Sequence, residues 1–117
     1  MQDFTIYHNP RCSKSRQALS LLQQHQIEPT IIDYRKQPPS VGQLKQLLQL
    51  AQLKVKDIIR TKEDLYSTLK LNQSTPSDDE LLAILCQHPI LIERPIVYTK
   101  NRAIIARPAE KVLELIQ

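Results

Sequence analysis

The stretch that decides the fold spans residues 4–34 and reads FTIYHNPRCSKSRQALSLLQQHQIEPTIIDY. Residues 4–7 are β-branched and aromatic and stop at an Asn-Pro pair, which predicts a strand followed by a turn. Apolar residues at helical spacing predict a helix over residues 13–26. Residues 30–34 are nearly continuous in apolar character, which predicts a second, buried strand. The stretch therefore predicts a βαβ unit with a right-handed crossover.

The rest of the chain predicts a helical insertion and then a return to β structure. Two Pro- and Ser-containing linkers, residues 37–40 and 74–77, precede helices, with Ser40 as an N-cap and Ser77 with Glu80 as a capping box. The predicted elements are helices over residues 43–53, 55–59, 63–69, 77–88 and 108–116, and strands over residues 95–98 and 103–106. We expect an α/β single domain over residues 1–117, with its core at 1–36 and 90–117 and the insertion at 37–89.

Composition narrows the class of protein. The chain has 117 residues, which is an ordinary length for one domain. It contains no apolar run of the roughly 18 residues that a membrane span needs, and its first residues lack a signal-peptide pattern. Two isolated cysteines, Cys12 and Cys86, fit a reducing compartment better than a disulfide framework. We therefore expect a cytoplasmic protein that does not associate with membranes, and we expect a monomer.

The charge pattern and the glycine and histidine content count against nucleic-acid binding, a glycine-rich phosphate loop and a metal site. The formal net charge is +4, but the basic residues are scattered, and there is one Phe and no Trp. A nucleic-acid partner is therefore not expected. The single glycine, Gly42, excludes a glycine-rich phosphate loop. His25 and His88 have no partner at metal-ligand spacing, so no metal site is expected.

Cys12 is the candidate nucleophile. It lies between the first predicted strand and the first predicted helix, where unpaired backbone N–H groups stabilise a thiolate and can bind an oxyanion. Nearby positive charge adds to this effect, from Arg11, Lys14, Arg16 and a protonated His8. The Ser15 hydroxyl is expected to donate a hydrogen bond to the sulfur.

The motif is Cys-x-x-Ser, so it contains no second thiol to resolve an adduct on Cys12. The other cysteine, Cys86, lies in the apolar stretch LLAILCQ, and we expect it to be a packed core residue. An adduct on Cys12 therefore requires an external thiol.

Three motifs together resemble the glutaredoxin-dependent arsenate reductase family. They are His8-Asn9-Pro10-x-Cys12-x-x-Ser15-Arg16, Glu93-Arg94-Pro95-Ile96-Val97, and Arg107-Pro108 before the final helix. The match covers essentially the whole chain, and the form CSKSR is most similar to the YfgD-type subgroup. The resemblance implies a thioredoxin-like (glutaredoxin-like) fold with a helical insertion. It also implies arsenate or a similar oxyanion as substrate, glutathione as co-substrate, glutaredoxin as partner and no bound cofactor.

The resemblance also implies roles for individual residues. Cys12 falls on the nucleophile, His8 and Ser15 on positions that tune the thiolate, and Pro95 on the cis-proline. Arg60, Arg94 and Arg107 fall on the arginines that bind the oxyanion. Guanidinium groups suit this role because their planar forks match the oxygens of an anion. The remaining arginines Arg35 and Arg102 are expected to be surface residues.

Two alternatives to arsenate reduction stay open at this stage. One is a thiol reductase that acts on glutathione mixed disulfides or on another oxyanion. Ser13-Lys14 stand where family members with established arsenate reduction usually carry Gly-Thr, a difference that bears on the substrate more than on the chemistry. The other is a regulator of the Spx type, which shares the fold and binds RNA polymerase.

Overall fold

The computed structural model of the protein describes residues 3–69 and 76–116. Its strands are β1 (Thr5–His8), β2 (Thr30–Asp33), β3 (Ile96–Tyr98) and β4 (Ala103–Ile105). Its α-helices are α1 (Ser13–Gln24), α2 (Val41–Ala51), α3 (Asp64–Thr68), α4 (Asp78–Gln87) and α5 (Leu113–Ile116). Short 3-10 helices cover Val55–Ile58, Pro89–Leu91 and Ala109–Val112. The predicted order of strands and helices is confirmed.

The four strands form one mixed sheet in the order β2-β1-β3-β4. β1 and β2 are parallel, so that His8 lies opposite Asp33. β3 runs antiparallel to both β1 and β4. The predicted βαβ unit and the later hairpin are therefore both present, and the carboxyl ends of β1 and β2 meet at one edge of the sheet.

The prediction that the second strand is buried was wrong. β2 pairs with β1 alone and is an edge strand of the sheet. Its Ile31 side chain is 48% exposed. A continuous apolar run indicates burial on both faces only when neighbouring strands and helices cover the strand, and the sequence of the strand does not carry that information.

The sheet separates two hydrophobic clusters. Neighbouring residues of one strand point to opposite faces, so Ile6 packs in one cluster and Tyr7 in the other. The first face is covered by α1 and the C-terminal helices through Ala18, Leu22, Ala109 and Val112, which pack with Val97 of β3. The second is covered by the helical insertion through Leu44, Leu48, Leu82 and Leu85, which pack with Ile96 of β3. The insertion thus packs directly on the sheet that carries the Cys12 loop.

Helix ends follow their capping residues closely. Ser40 and Gln43 form a capping box at the start of α2, and Ser77 and Glu80 form another at the start of α4, which confirms both predicted caps. The first helix ends at Gln24, two residues early, because Gln26 adopts a left-handed conformation with φ 64°.

Two other boundaries differ from prediction or fall outside the described residues. The predicted C-terminal helix over residues 108–116 is a 3-10 turn that continues into α5. The second linker is only partly described, since residues 74 and 75 lie outside the described ranges. Within those ranges, each helix is too short or too polar to cross a membrane.

Candidate active site

Cys12 caps the amino end of α1. Its backbone is extended (φ −94°, ψ 122°), and its N–H donates to the carbonyl oxygen of Asn9 at 2.9 Å. Its own carbonyl accepts the first helical bond, from the Arg16 N–H at 3.0 Å. The side chain is half-buried and the thiol is free. The sulfur therefore lies at the helix end where backbone N–H groups point outward.

The environment of Cys12 favours the thiolate. Burial by itself raises the pKa of the thiol, but backbone N–H groups of Ser15 and Lys14 and the guanidinium of Arg94 act in the opposite direction. The net result is a Cys12 pKa below its ordinary value. Arg94, which is distant in sequence, is thus the side chain whose charge stabilises the sulfur most directly.

The Ser15 hydroxyl has a different role from the predicted one. It lies 2.6 Å from Nδ1 of His8 and accepts a hydrogen bond from the Asn9 N–H at 3.0 Å. Ser15 is fully buried, and His8 and Asn9 are nearly so. The predicted bond from the hydroxyl to the sulfur was therefore wrong: the hydroxyl fixes the loop, and the backbone N–H of Ser15 reaches the sulfur instead.

His8 was expected to add positive charge only when protonated, and its surroundings disfavour the protonated form. Burial lowers the pKa of His8, and the charges of Arg16 and Arg35 lower it further against the opposing effect of Asp33. The imidazole is consequently neutral at neutral pH. Residues 8–16, which we call the thiolate segment, are held by contacts among themselves, including a bond from the Arg16 guanidinium to the Pro10 carbonyl at 2.8 Å.

The three predicted oxyanion-binding arginines come together through two carboxylates. Oε1 of Glu93 accepts from Nη1 of Arg107 at 2.9 Å and from Nη1 of Arg60 at 3.4 Å. Oε1 of Glu63 accepts from Nε of Arg60 at 3.0 Å and lies 3.9 Å from Nη2 of Arg94. We call these five residues the arginine cluster. It meets the thiolate segment at Arg94.

Backbone pairing between distant segments builds the arginine cluster. Ile59 forms an isolated antiparallel bridge with Ile92. The Arg60 N–H donates to the Leu91 carbonyl, and the Glu93 N–H donates to the Ile58 carbonyl, both at 2.7 Å. The insertion is thereby fastened to the segment before β3, which sets Arg60 beside Glu93.

Arg94 and Arg107 flank the β3–β4 hairpin, one before β3 and the other after β4. The peptide bonds Arg94–Pro95 and Arg107–Pro108 are both cis. The Ala106 N–H donates to the Pro95 carbonyl at 2.9 Å, and Nη1 of Arg107 donates to the Arg94 carbonyl at 3.3 Å. β3 and β4 therefore bring two arginines that are 13 positions apart into contact.

A surface cleft of about 250 Å³ opens on this cluster. It is lined by Ile59, Arg60, Thr61, Lys62, Glu93 and Arg107. Most of the polar lining is cationic, so an anion is the ligand that its chemistry favours.

Sequence reasoning missed three residues at the site. The Tyr34 hydroxyl is buried near Arg94, and neither it nor Nε of Arg94 has a hydrogen-bond partner among the described residues. Tyr34 directly follows β2, at the sheet edge where β1 also ends. Because sites form at the carboxyl ends of parallel strands, this position could have predicted that Tyr34 lies near the site. Glu63 follows Arg60 by three residues, a spacing that allows pairing within one helical turn. Glu93 is adjacent to Arg94 in the sequence, but that adjacency does not indicate its partners Arg60 and Arg107.

The other candidates lie away from these contacts. Cys86 packs against the hydrophobic cluster between the sheet and the helical insertion, and burial raises the pKa of its thiol, which fits the predicted packed residue. Arg35 pairs with Asp33, and Arg102 donates to the Glu114 carbonyl; both side chains are exposed, as predicted. Among residues 3–69 and 76–116, no group of three His, Cys, Asp or Glu side chains is placed to hold a metal ion.

Comparison with known proteins gives matches along nearly the whole chain. A model of the ArsC family matches residues 7–115. The protein YfgD of Escherichia coli strain K12 is 42% identical over 112 residues, which cover 95% of this chain and 94% of that protein. An arsenate reductase of Rhizobium meliloti strain 1021 is 41% identical over 112 residues, covering 96% of this chain and 80% of that enzyme.

Solved structures give the same result for the fold. The structure of an arsenate reductase from Vibrio cholerae has a TM-score of 0.92 and 48% identity, and the alignment covers 97% of each chain. The thioredoxin-like α/β fold predicted from the motifs is thus confirmed, and so is the resemblance on which that prediction rested.

Proposed function

The chain belongs to the ArsC family, and on that premise we propose that it is a thiol-dependent reductase that converts arsenate to arsenite through an adduct on Cys12. One observation carries the proposal: the guanidinium of Arg94 helps to lower the pKa of Cys12, and carboxylates link Arg94 to Arg60 and Arg107. A nucleophile beside a cluster of guanidinium groups is suited to attack an oxyanion. Relatives at similar identity are named arsenate reductases.

The first step joins sulfur to arsenic. The arginines hold the oxyanion and balance the charge that develops on its oxygens as the thiolate approaches. The Cys12 sulfur donates an electron pair to arsenic(V), an S–As bond forms, and one protonated oxygen leaves as water. Arsenic keeps its oxidation state in this step, and the backbone N–H groups of Ser15 and Lys14 lose their anionic partner as the thioester-like bond forms.

The second step transfers electrons to arsenic and needs two external thiols. The thiolate of glutathione attacks the Cys12 sulfur, an S–S bond forms, and the S–As bond breaks with its electron pair left on arsenic. Arsenic(III) leaves as arsenite. A glutaredoxin thiolate then takes the glutathione from the mixed disulfide and frees Cys12. Overall, arsenate, two thiols and two protons give arsenite, one disulfide and one water.

An external resolving thiol is supported by the surroundings of Cys12. Ser15 stands where a Cys-x-x-Cys motif carries its second thiol, and its buried hydroxyl is engaged with His8 and Asn9. Cys86 packs in the hydrophobic cluster between the sheet and the helical insertion, together with residues such as Leu82 and Leu85. Glutathione and glutaredoxin, which act in solution, meet this need.

A coupled assay tests the proposal. The purified protein is mixed with arsenate, glutathione, glutaredoxin, glutathione reductase and NADPH, and NADPH oxidation is followed. We expect turnover that depends on both thiol components and disappears in Cys12→Ser. Absence of turnover in the wild type, or full turnover in Cys12→Ser, would contradict the proposal.

A second oxyanion is favoured by one feature of the thiolate segment. Ser13 and Lys14 are exposed at the start of α1, directly beside Cys12. Lys14 adds a cation where an anion approaches the sulfur. The same assay with other oxyanions in place of arsenate compares their kcat/KM values directly.

A further inference from the structure

The arginine cluster already contains two anions of its own. Each carboxylate uses one oxygen, Oε1, to bridge two guanidinium groups: Glu93 bridges Arg60 and Arg107, and Glu63 bridges Arg60 and Arg94. Three guanidinium groups and two carboxylates give the cluster a formal net charge of +1. The groups that the proposed function assigns to an oxyanion are thus paired with carboxylates of the chain itself.

Neither carboxylate is locked in the interior. The side chains of Glu63 and Glu93 are 24% and 26% exposed. Glu93 also lines the surface cleft together with Arg60 and Arg107, so an anion that enters the cleft meets the same donors. These contacts are ion pairs between partly exposed side chains, with exposures between 11% for Arg94 and 34% for Arg107. The solvent-accessible part of such a pair contributes little net stability, so a competing anion can replace the carboxylate.

We propose that Glu63 and Glu93 are resident anions of the oxyanion site, which occupy the arginines until a more highly charged oxyanion displaces them. The inference rests on the proposed function in one respect, the assignment of the arginine cluster to an oxyanion. A carboxylate carries a single charge and two oxygens, whereas a tetrahedral oxyanion such as arsenate carries about two charges and more oxygens near neutral pH. The exchange therefore favours the doubly charged anion.

The same exchange provides a route for product release. Arsenite is uncharged near neutral pH, so it cannot compete with a carboxylate for a guanidinium group. When arsenic leaves Cys12, the two glutamates return to the arginines. The carboxylates thus lower the affinity for the substrate, and they keep the arginines ordered and the site closed to weaker ligands.

Isothermal titration calorimetry with sodium arsenate tests this exchange. All proteins carry Cys12→Ser, which prevents an adduct and leaves binding alone to be measured. The variants are Glu93→Gln and Glu63→Gln, which keep the shape and one carbonyl acceptor but remove the charge. Glu28→Gln is the matched control, since Glu28 is exposed between α1 and β2, near the opposite end of β1 from Cys12.

We expect Glu93→Gln to bind arsenate at least about fivefold more tightly, the effect of one unit charge at about 4 Å in water. Glu63→Gln is expected to show a smaller gain in the same direction, because one of its two contacts is at 3.9 Å. Glu28→Gln is expected to stay within about twofold of the parent, since charges beyond a Debye length are screened.

Unchanged or weaker binding in both site variants would overturn the inference, because it would make the glutamates supports and not competitors. Absence of arsenate binding in every protein would overturn it as well. Tighter binding in the variants together with no arsenate turnover by the wild type would support the inference and contradict the proposed function. Circular dichroism confirms the fold of each variant, and either glutamate variant alone suffices if the other does not fold.

Discussion

The thiolate segment and the arginine cluster are built in opposite ways. In the thiolate segment, His8, Asn9, Cys12 and Ser15 are held by bonds between residues at most seven positions apart. In the arginine cluster, Arg60 and Glu93 are separated by 33 positions and Glu93 and Arg107 by 14. The proposed nucleophile therefore depends on a local loop, whereas the proposed oxyanion site depends on the insertion, the β3–β4 hairpin and their docking. Changes in the two regions should have separable effects.

The largest loss of turnover is expected from Cys12→Ser. A serine hydroxyl does not ionise near neutral pH, so no nucleophile remains in the thiolate segment, and we expect kcat to fall by roughly a thousandfold or more. The coupled assay measures the rate. Cys86→Ser is the control and should keep near wild-type turnover, and the reverse ranking of the two variants would place the nucleophile outside the thiolate segment.

Arg94→Ala should give the next largest effect, because Arg94 belongs to both regions by contact. Loss of a charged donor at a developing oxyanion is expected to lower kcat/KM by about a hundredfold to a thousandfold. The pKa of Cys12 should rise in the same variant, since the guanidinium stabilises the thiolate. Both quantities are measurable, by the coupled assay and by the pH dependence of thiol alkylation.

Arg107→Ala, compared with Arg94→Ala, separates the contribution of the arginine cluster from that of the thiolate segment. We expect a higher KM for the oxyanion with little change in the Cys12 pKa, because the contact of Arg107 is with Glu93 and the Arg94 carbonyl. Arg102→Ala, an exposed arginine that bonds the Glu114 carbonyl, is the control. Equal rises of the Cys12 pKa in Arg94→Ala and Arg107→Ala would remove the distinction between the two regions.

Ser15→Ala should affect stability more than reactivity. The substitution leaves the buried Asn9 N–H and His8 Nδ1 without their partner, which is expected to lower the free energy of unfolding by about 1–3 kcal/mol. The pKa of Cys12 should change little, because the backbone N–H of Ser15 reaches the sulfur. Urea denaturation and alkylation measure the two effects, with the exposed Ser13→Ala as control. A large rise in the Cys12 pKa without loss of stability would restore a bond from the hydroxyl to the sulfur.

The smallest effect is a dependence of stability on pH through His8. Its folded pKa lies below the ordinary value of about 6.5, so between the two values the unfolded chain binds more protons than the folded one. The free energy of unfolding should therefore fall as the pH is lowered from about 6.5 through the folded pKa. His8→Gln should flatten this part of a urea-denaturation pH series, and His25→Gln, at an exposed helix end, should not. A steeper decline in His8→Gln would contradict the neutral, buried imidazole.

The two regions also differ in how well the sequence predicts them. The position of Cys12 at a helix start follows from local spacing, and so do the caps at Ser40 and Ser77. The bond of the Ser15 hydroxyl could not be predicted, because His8 Nδ1 and the Asn9 N–H compete with the sulfur for it. That choice depends on the path of the loop in three dimensions, and residue spacing does not determine it.

The three arginines of the arginine cluster were predicted, but its two glutamates were not. Motif resemblance identified Arg60, Arg94 and Arg107, but a motif carries no information on pairing between segments. Glu63 and Glu93 enter the site through the Ile59–Ile92 bridge, a long-range contact. The exposure of β2 was missed in the same way, since strand order is a property of the whole sheet.

The pKa of Cys12 tests the central claim most directly. The rate of iodoacetamide alkylation of the Cys12 peptide is followed by mass spectrometry across a pH series, with and without arsenate, and Cys86 serves as an internal reference in each sample. We predict a midpoint below the ordinary cysteine value of about 8.5 and slower alkylation when arsenate is present. A midpoint at about 8.5 that arsenate leaves unchanged, with no protection of Cys12, would contradict a thiolate nucleophile beside an oxyanion site.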